Sequence, residues 1–521
     1  MPVTVSTISN YGLEGRMIQV EVDISAGLPS FTIVGLADTA VLEARERVRS
    51  AIKNSGMTFP PNRKTMSLVP ADVRKHGPAF DLAMAVGLLA ASQQVPIKLL
   101  EDTALLGALS LNGEVRGVQG ILPLLLFAKK YGVKSVIIPY ENKNEARVIE
   151  GLDIRVVKNL KELVSFLQGK VELEKVEYFL GSEYSIADSV MARAYTDPFM
   201  GIVGQERAKR AIAIAAAGHH NILLSGPPGI GKSLLAHAIS KLLPPLTHEE
   251  FLEVASMYSL RGINLFDEYA ILQKPRPVRE IHHTASLAAI IGGTAELLPG
   301  EISLAHRGVL VLDEISEFPR DRIESLRQPI ENGFITLTRA SGSITYPCKF
   351  LIFATTNPCP CGFHGDKKTL CQCTVAVLKA HERKISGPIL DRIDLKVSME
   401  SSNKKDIIEM QSTSQTSLIP SEFFKQVLHA RARQLARYTS TSITPTPIFT
   451  NSDLTIKELF DYCILESTAQ KVLTAAAEKL NLSARAIHRI IKVARTIADM
   501  DLVTNHDTIK THHISEALQY R

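Results

Sequence analysis

The stretch "NILLSGPPGIGKSLLAHAISKLL", residues 221–243, decides the fold of the central part of this chain. A short apolar strand leads into a glycine-rich turn, and an apolar helix follows it. The turn consists of Gly226, Pro227, Pro228, Gly229, Ile230, Gly231, Lys232 and Ser233. In a P-loop of this pattern, backbone N–H groups bind phosphates, the lysine reaches the terminal phosphates and the serine ligates magnesium. The sequence therefore predicts an ATP and Mg²⁺ site on a parallel α/β sheet.

A pair of carboxylates follows the next apolar strand, in "RGVLVLDEISEF" at residues 307–318. Asp313 is suited to holding the magnesium ion, and the adjacent Glu314 to polarising the attacking water. An acidic pair at a strand end also occurs as a simple helix cap. Because a P-loop lies upstream, we interpret the pair as catalytic.

Two further motifs complete the pattern of a nucleotide hydrolase. The strand "FLIFATTN", residues 350–357, ends on Asn357, a neutral polar residue able to orient the water. The loop "SGPILDRIDL", residues 386–395, contains Arg392, whose guanidinium can stabilise charge on the nucleotide of a neighbouring subunit. The alternative for Arg392 is a local ion pair with Asp391 or Asp394. A role on a neighbour's nucleotide implies a ring.

The stretch "LSARAIHRIIKVARTIADM", residues 482–500, has the periodicity of an amphipathic helix with one basic face. Such a face is often a solvated surface. Here it closes the series P-loop, acidic strand, asparagine strand and arginine loop, which is the order of an AAA+ ATPase with a helical lid. Arg485 is then the candidate second sensor, and Arg489 is the alternate.

Four of the six cysteines lie in "TTNPCPCGFHGDKKTLCQC", residues 355–373. The candidate ligands are Cys359, Cys361, Cys371 and Cys373. Four thiolates form a closed structural zinc site, although the one-residue gap within each pair is tighter than usual. Buried free thiols and a redox pair are the alternatives. We favour zinc, as a brace beside Asn357 and not as part of the chemistry.

The composition is that of an ordinary soluble globular protein. The 521 residues are 45% hydrophobic and 22% charged, with a net charge of +5 that permits a polyanionic partner without requiring one. The first residues lack the pattern of a signal or transit peptide, and the longest apolar runs are too short to cross a bilayer. We therefore expect a cytoplasmic protein with no membrane partner.

The chain divides by pattern into segments of different character. Strand-like and helical runs alternate over residues 1–168, which predicts a compact α/β domain, and 169–189 are a charged linker. Alternation resumes over 190–400, the ATPase domain with its parallel sheet. Helical periodicity dominates 401–521, the predicted helical lid.

Several long stretches of the sequence resemble one known family. They are residues 27–56, 292–318, 326–347, "NPCPCG" at 357–362, 386–395 and 483–499. Together they resemble the bacterial magnesium-chelatase-like ATPases of the ComM/YifB family over nearly the whole chain. The resemblance implies a homohexameric AAA+ motor on branched or forked DNA, without sequence preference. Its implied role is branch migration in homologous recombination during natural transformation, alongside recombination machinery.

The resemblance to this AAA+ branch also implies loops that project into a central pore. "GFITLTRASGSITYP", residues 333–347, alternates like a hairpin with a turn at Gly342, and Arg339 near that turn is the candidate DNA contact. A second loop within 279–308 contains His282, His283 and the pair Gly292-Gly293. The alternative for both is a purely structural loop, since the electrostatic footprint is small.

The N-terminal segment resembles the protease domain of Lon over residues 73–92 and 107–142. Proteolysis there requires a serine nucleophile activated by a lysine. This sequence has Ala79 at the expected serine and Leu122 at the expected lysine. We predict a protease-like fold without peptidase activity. Two rivals to a DNA motor are a chelatase-type motor that remodels a protein partner and a regulatory nucleotide-binding module of an active protease. The residues Ala79 and Leu122 weaken the second rival.

Overall fold

The computed structural model describes residues 2–35, 38–71, 75, 77–179, 198–294, 296–339, 342–366, 368–384, 387–400, 422–439, 450–502 and 508–521. These residues form two compact units. As far as they are described, one comprises Met1–Glu183 with His248–Leu272, and the other comprises Tyr184–Thr247 with Gln273–Arg521. Residues 248–272 therefore pack in the N-terminal unit, although the sequence pattern includes them in the predicted ATPase domain.

A mixed sheet forms the centre of the first unit. Its described strands lie in the order Glu174–Lys175, Asp153–Val157, Ser135–Pro139, Thr103–Leu105, Val3–Tyr11, Glu14–Ser25, Arg63–Val69 and Ser30–Val34. Along the strand Glu14–Ser25, Ile18, Val20 and Val22 are buried while Gln19 and Asp23 are exposed, as expected for a strand with one packed face. A small hairpin pairs Ala108–Leu109 with Val115–Arg116.

Helices accompany this sheet in the first unit. The described α-helices are Thr39–Asn54, Asp81–Ala91, Ile121–Lys130, Lys143–Ala146, Leu160–Leu167, His248–Leu260 and Glu268–Gln273. Asp38 caps the first of them by accepting from the Val41 N–H at 2.8 Å. Residues 81–90 are all buried, because the helix Asp81–Ala91 is apolar on nearly every side and fills the core.

A parallel sheet forms the centre of the second unit. The described strands lie in the order Val278–Ile281, Val309–Leu312, Leu351–Thr356, Ile222–Ser225 and Leu395–Ser398. Every pairing is parallel, and Val309–Leu312 and Leu351–Thr356 are buried throughout. Parallel strands buried on both faces require apolar runs without alternation, which these strands have. The strand that ends before Asn357 lies between the P-loop strand and the acidic strand.

The remaining elements of this unit are mostly helices. The described α-helices are Glu206–Gly218, Lys232–Leu242, Leu287–Ile291, Glu301–Leu304, Arg320–Ser325, Arg327–Asn332, Val375–Glu382, Gly387–Leu390, Glu422–Thr439, Ile456–Tyr462, Ser467–Lys479, Ala484–Met500 and Thr511–Leu518. Two short ribbons pair Phe334–Arg339 with Gly342–Pro347 and Ile464–Leu465 with Thr508–Ile509. The C-terminal helices share an apolar core with the sheet, in which Ile212, Phe424 and Ile490 are buried.

The predicted α/β class, with a parallel P-loop sheet and a helical C-terminal region, is confirmed. The predicted domain boundaries stay predictions. Within the predicted linker 169–189, Glu174–Lys175 pairs with Asp153–Val157 as an edge strand, and residues 180–189 lie outside the described residues, as do 401–421 at the start of the predicted lid. In the described ranges, no helix has the length and apolar composition needed to cross a membrane.

Candidate active site

The P-loop follows the strand Ile222–Ser225 at the carboxyl edge of the parallel sheet. Gly229 and Gly231 have φ of +77° and +91°, the left-handed region in which glycine carries no steric penalty. A side chain on Gly226 would meet the Met399 carbonyl oxygen at 2.9 Å. The turn therefore brings a glycine-rich backbone to the start of the helix Lys232–Leu242, which is the form of a phosphate cradle.

Lys232 is almost buried, with 9% of its surface exposed. Its ammonium donates to the carbonyl oxygens of Gly226 at 2.5 Å and Pro227 at 3.2 Å, and to Asn357 Oδ1 at 2.6 Å. Burial lowers the pKa of Lys232, and the charges of Asp313 and Glu314 oppose that shift. The lysine thus lies between the P-loop and the asparagine strand.

The predicted magnesium ligands lie side by side. Ser233 Oγ donates to Asp313 Oδ2 at 3.2 Å, and the other carboxylate oxygen accepts from Thr355 Oγ1. A hydroxyl and a carboxylate oxygen in this proximity are the hard oxygen donors that one Mg²⁺ takes from a protein. The donor set therefore fits the predicted ion.

Glu314 turns away from its neighbour because its backbone is left-handed, with φ of +52°. Its N–H donates to Thr355 Oγ1 at 3.0 Å, which fixes the turn. A non-glycine residue in this conformation is uncommon and is found where the surroundings hold it. The result is that Asp313 and Glu314, adjacent in sequence, present their carboxylates to different partners.

Asn357 connects the lysine to the second carboxylate. Its Oδ1 accepts from Lys232 Nζ at 2.6 Å, and its Nδ2 lies 3.5 Å from Glu314 Oε1. Its backbone carbonyl accepts from His381 Nε2 at 3.0 Å, so that ring nitrogen carries a proton. The side-chain amide is therefore oriented by Lys232 and Glu314, with its nitrogen directed to the carboxylate that would polarise water, and His381 holds the backbone of the same residue.

Two further residues, Thr355 and His381, belong to this edge and were not predicted from the sequence. Thr355 has a signal, since it is a polar residue inside an otherwise apolar strand, and its hydroxyl contacts both members of the acidic pair. His381 has no such signal. It lies 24 positions after Asn357 and is 5% exposed, and folding of the intervening loop brings it to the asparagine.

Arg392 and Arg485 lie at the opposite, amino edge of the same sheet. Arg392 precedes the strand Leu395–Ser398, and its carbonyl accepts from Asn221, the residue before the P-loop strand. Strands of four residues at about 3.3 Å per residue separate the two edges by about 13 Å. Neither arginine is therefore placed with the P-loop of its own chain.

Both arginines contact one carboxylate that sequence analysis did not single out. Arg392 pairs with Glu331 Oε1, and Arg485 Nη2 lies 3.6 Å from the same oxygen. The alternate sensor, Arg489, donates to the Ile393 carbonyl at 2.7 Å. Burial and the charges of nearby arginines lower the pKa of Arg392. The described ion pair of Arg392 is with Glu331, and the alternative pairing with Asp391 or Asp394 stays a prediction.

The arginines line a cavity of about 700 Å³ at this edge. Its polar lining includes the side chains of Glu331, Asp391, Arg392, Arg485, His488, Arg489 and Lys492. The basic face of the helix Ala484–Met500 extends from this cavity into the core, where Arg495 is 1% exposed and pairs with Asp499 at 2.8 Å. One end of the predicted basic stripe is thus a buried ion pair, not a solvated surface.

The two predicted pore loops contact each other. The strands Phe334–Arg339 and Gly342–Pro347 form the predicted hairpin, with Arg339 opposite Gly342 at its tip. Arg339 Nη2 donates to the Gly293 carbonyl oxygen of the second loop at 2.7 Å. In that loop the rings of His282 and His283 are 4.2 Å apart. Arg339 remains exposed, so it is available to an external partner.

The four clustered cysteines converge. Their sulfur atoms all lie within 4.8 Å of one another, with Cys359 3.2 Å from Cys361 and 3.8 Å from Cys371. The other two cysteines, Cys348 and Cys463, are buried, and burial raises the pKa of each thiol to about 12. Those two positions are structural thiols.

At the protease-like positions of the first unit, Ala79 lies in a short turn at Pro78–Phe80, and Leu122 is fully buried in the helix Ile121–Lys130. The Leu122 N–H lies 3.3 Å from Ser259 Oγ, and the Gly120 N–H donates to the Ser259 carbonyl at 2.9 Å. The helix His248–Leu260 therefore packs against the residues where a catalytic lysine is expected. Neither position offers a nucleophile or a base.

Three family models match the chain. They are "Magnesium chelatase, subunit ChlI" over residues 198–407, "Subunit ChlI of Mg-chelatase" over 20–142 and "Magnesium chelatase, subunit ChlI C-terminal" over 420–521. "Uncharacterized protein YifB" of Salmonella typhimurium is 40% identical over 517 residues, which are 99% of this chain and 96% of YifB. "Competence protein ComM" of Haemophilus influenzae is 38% identical over 515 residues, 98% of this chain and 96% of ComM.

The chain belongs to the ComM/YifB family. Within this family member, one segment also resembles a protease. "Lon protease 2" of Bacillus subtilis is 31% identical over 166 residues, which are 29% of this chain and 30% of that protein. The chain thus combines a Lon-like region with a magnesium-chelatase-like ATPase region and a helical C-terminal region, as the sequence resemblance implied.

Proposed function

We propose that this ComM/YifB family member is an ATP hydrolase that works as a homohexameric DNA translocase in the cytoplasm. It promotes branch migration in homologous recombination during natural transformation. The observation that carries the proposal is the chain of contacts from Lys232 through Asn357 to Glu314, beside the Ser233–Asp313 pair. These groups are the parts that hydrolysis of a bound nucleoside triphosphate requires.

The residues divide the work of hydrolysis by position. Backbone N–H groups of 226–233 and the ammonium of Lys232 bind the phosphates, while Ser233 and Asp313 hold Mg²⁺. When bound, the ion supplies positive charge to the phosphate oxygens. Glu314 accepts a proton from the attacking water, and Asn357 orients that water between the carboxylate and the terminal phosphate.

The distance between the two edges of the sheet supports a ring. Arg392 and Arg485 lie about 13 Å from the carboxyl edge, so they serve a nucleotide bound by an adjacent chain. There Arg392 stabilises the charge that develops during transfer, and Arg485 senses the nucleotide from the lid. The number six rests on the family resemblance.

The proposed DNA contact is at the hairpin tip. Arg339 is exposed and is held by the second loop, so one rigid feature per subunit presents a cation to the pore. Contacts to phosphate without base readout suit a motor that moves along any sequence. "Competence protein ComM" is the name of a relative and supports a DNA-related role.

The test is the rate of ATP hydrolysis with and without Holliday-junction or forked DNA. We expect DNA to stimulate turnover and ATP to drive branch migration. Arg339→Ala should weaken DNA binding and reduce the salt dependence by about one phosphate contact per subunit. Lys479→Ala, at an exposed helix end, is the matched control. A rate indifferent to every DNA structure would contradict a DNA motor.

The second candidate is a chelatase-type motor that remodels a protein partner. The match to "Magnesium chelatase, subunit ChlI" over 198–407 favours it. This candidate predicts ATP turnover that DNA leaves unchanged and a protein partner accelerates.

We also propose that the Lon-like region has no peptidase activity, because Ala79 lacks a hydroxyl and Leu122 lacks an amine. Cleavage of unfolded casein by the full chain would contradict this. The single change Ala79→Ser should leave cleavage undetectable, since the new hydroxyl would still lack a base.

A further inference from the structure

The cysteine cluster has the spacing of a four-thiolate metal site. A tetrahedral zinc site with Zn–S bonds of about 2.3 Å places its sulfurs about 3.8 Å apart. Here the sulfur of Cys359 lies 3.2 Å from Cys361 and 3.8 Å from Cys371, and Cys361 lies 3.6 Å from Cys371. A disulfide requires about 2.05 Å, so these cysteines are not paired in bonds. All four sulfurs, including that of Cys373, lie within 4.8 Å of one another.

The backbone around the cluster donates to the sulfurs. The His364 N–H points to Cys359 Sγ at 3.3 Å, and the Cys373 N–H to Cys371 Sγ at 3.4 Å. Gly362, with φ of +84°, permits the tight turn directly after Cys361. Such N–H groups stabilise the negative charge of metal-bound thiolates. Soft sulfur ligands in a tetrahedron select zinc over magnesium or calcium.

The cluster connects three elements of the ATP site. Its loop leaves the sheet directly after Asn357, and it returns to the helix Val375–Glu382, capped by Thr374 next to Cys373. That helix carries His381, which donates to the Asn357 carbonyl. On the other side, a Cβ on Gly362 would lie 2.6 Å from Pro228 Cδ of the P-loop. A metal that fixes this loop therefore fixes both the asparagine and the P-loop.

We propose that Cys359, Cys361, Cys371 and Cys373 bind one zinc ion that holds Asn357 and the P-loop in position for hydrolysis. The binding site stands on its own geometry, while the positioning role rests on the proposed ATPase function. Because all four ligands come from the protein, the site is structural and has no open position for substrate. None of the four cysteines is a catalytic residue.

The binding part is tested on the full chain purified without a histidine tag. We expect about one zinc per chain by elemental analysis. Protein produced with cobalt in place of zinc should show the visible absorption of tetrahedral Co²⁺ with thiolate ligands. Cys371→Ser and Cys373→Ser should lose the metal, whereas Cys463→Ala, at a buried position in the helical region, should keep it. Less than one zinc per five chains in the unsubstituted protein would overturn the site.

The positioning role of zinc is tested by comparing kcat with KM for ATP, because a metal that only stabilised the fold would not change kcat selectively. Release of zinc by a mercurial thiol reagent, followed with a chromogenic chelator, should lower kcat about tenfold while KM for ATP changes less than threefold. Removal of the reagent with excess thiol and addition of Zn²⁺ should restore kcat. Release of zinc without a change in kcat would overturn the positioning role. A zinc-loaded chain without ATP turnover would instead contradict the proposed function and leave the metal site standing.

Discussion

At the carboxyl edge of the parallel sheet, the polar side chains contact one another, whereas at the amino edge two arginines contact one carboxylate. Lys232, Asn357 and Glu314 form a continuous chain of contacts at the first edge. Arg392 and Arg485 share Glu331 at the second. The first edge holds a phosphate cradle of its own, and the second holds cations without one. The proposed ring would bring the second edge of one chain to the first edge of its neighbour, and the predictions test the two sides of that contrast.

The largest effects should come from one residue at each edge, Arg392 at the amino edge and Lys232 at the carboxyl edge. Arg392→Ala should lower ATP turnover by about 10³-fold, because the charge that stabilises transfer on the adjacent chain is lost. Lys232→Ala should abolish turnover through loss of phosphate binding. Mixing the two variants should restore activity, since some boundaries then pair an intact P-loop with an intact arginine. Mixtures no more active than the separate variants would contradict a shared site.

The next largest loss of turnover should come from replacing Glu314 at the carboxyl edge. Glu314→Gln should keep ATP binding and lower turnover by about 10²-fold or more, because the amide cannot accept the proton from water. The matched control is Glu317→Gln, an exposed carboxylate nearby that pairs with Lys384 at 3.3 Å. Binding of a fluorescent ATP analogue measures the binding step, and single-turnover rates measure the hydrolysis step. Strand exchange by Glu314→Gln should fall in parallel with its ATP turnover. Turnover at the unsubstituted rate would contradict the role proposed for Glu314.

Two asparagines at opposite strand ends make a third contrast. Asn357→Ala should lower kcat by about 10²-fold with little loss of stability, since its side chain orients reacting groups. Asn221→Ala should instead lower the stability of the fold and change kcat little. Its side chain bonds the Arg392 carbonyl at 2.9 Å and the Ile352 N–H at 2.8 Å, so its loss should lower the free energy of unfolding by about 1–3 kcal/mol. Denaturant unfolding and kcat for both variants decide between these outcomes.

The smallest effect should come from Glu331. Glu331→Gln keeps both arginines but removes the charge that orients them, and such partly exposed ion pairs contribute about 0.2–1 kcal/mol. We expect at most about a fivefold fall in turnover. A loss as large as that of Arg392→Ala would mean that Glu331 itself acts on the nucleotide. A rate identical to that of the unsubstituted chain would mean that the pairs do not persist in the ring.

Much of the carboxyl edge could be predicted because its residues directly follow buried apolar strands. Parallel strands end at the same edge, so 226–233, the acidic pair and Asn357 meet without further information. Thr355 could also have been predicted, because it is a polar residue in an apolar run. His381 could not, because a long loop determines which histidine contacts the Asn357 carbonyl.

At the amino edge, the order of motifs predicted which residues matter but not what they contact. Arg392 and Arg485 were found by the order of motifs, but nothing in that order placed them at one carboxylate. Glu331 lies in the short helix Arg327–Asn332, 61 positions before Arg392, and nothing in the stretch 326–347 marks it as the partner of an arginine. The assignment of residues 248–272 to the N-terminal unit was missed for a related reason. Sequence order does not reveal which sheet a connecting helix covers.

By itself, the sequence determined the local chemistry: a glycine-rich turn between a strand and a helix, carboxylates and an asparagine at strand ends, and four cysteines in one loop. These features follow from backbone geometry and residue type within a few positions. The tertiary structure alone decided which distant groups share a partner: Glu331 with two arginines, His381 with Asn357, and Gly362 against the P-loop. Those contacts depend on how helices pack on the sheet, and packing is set by the whole core and not by neighbours along the chain.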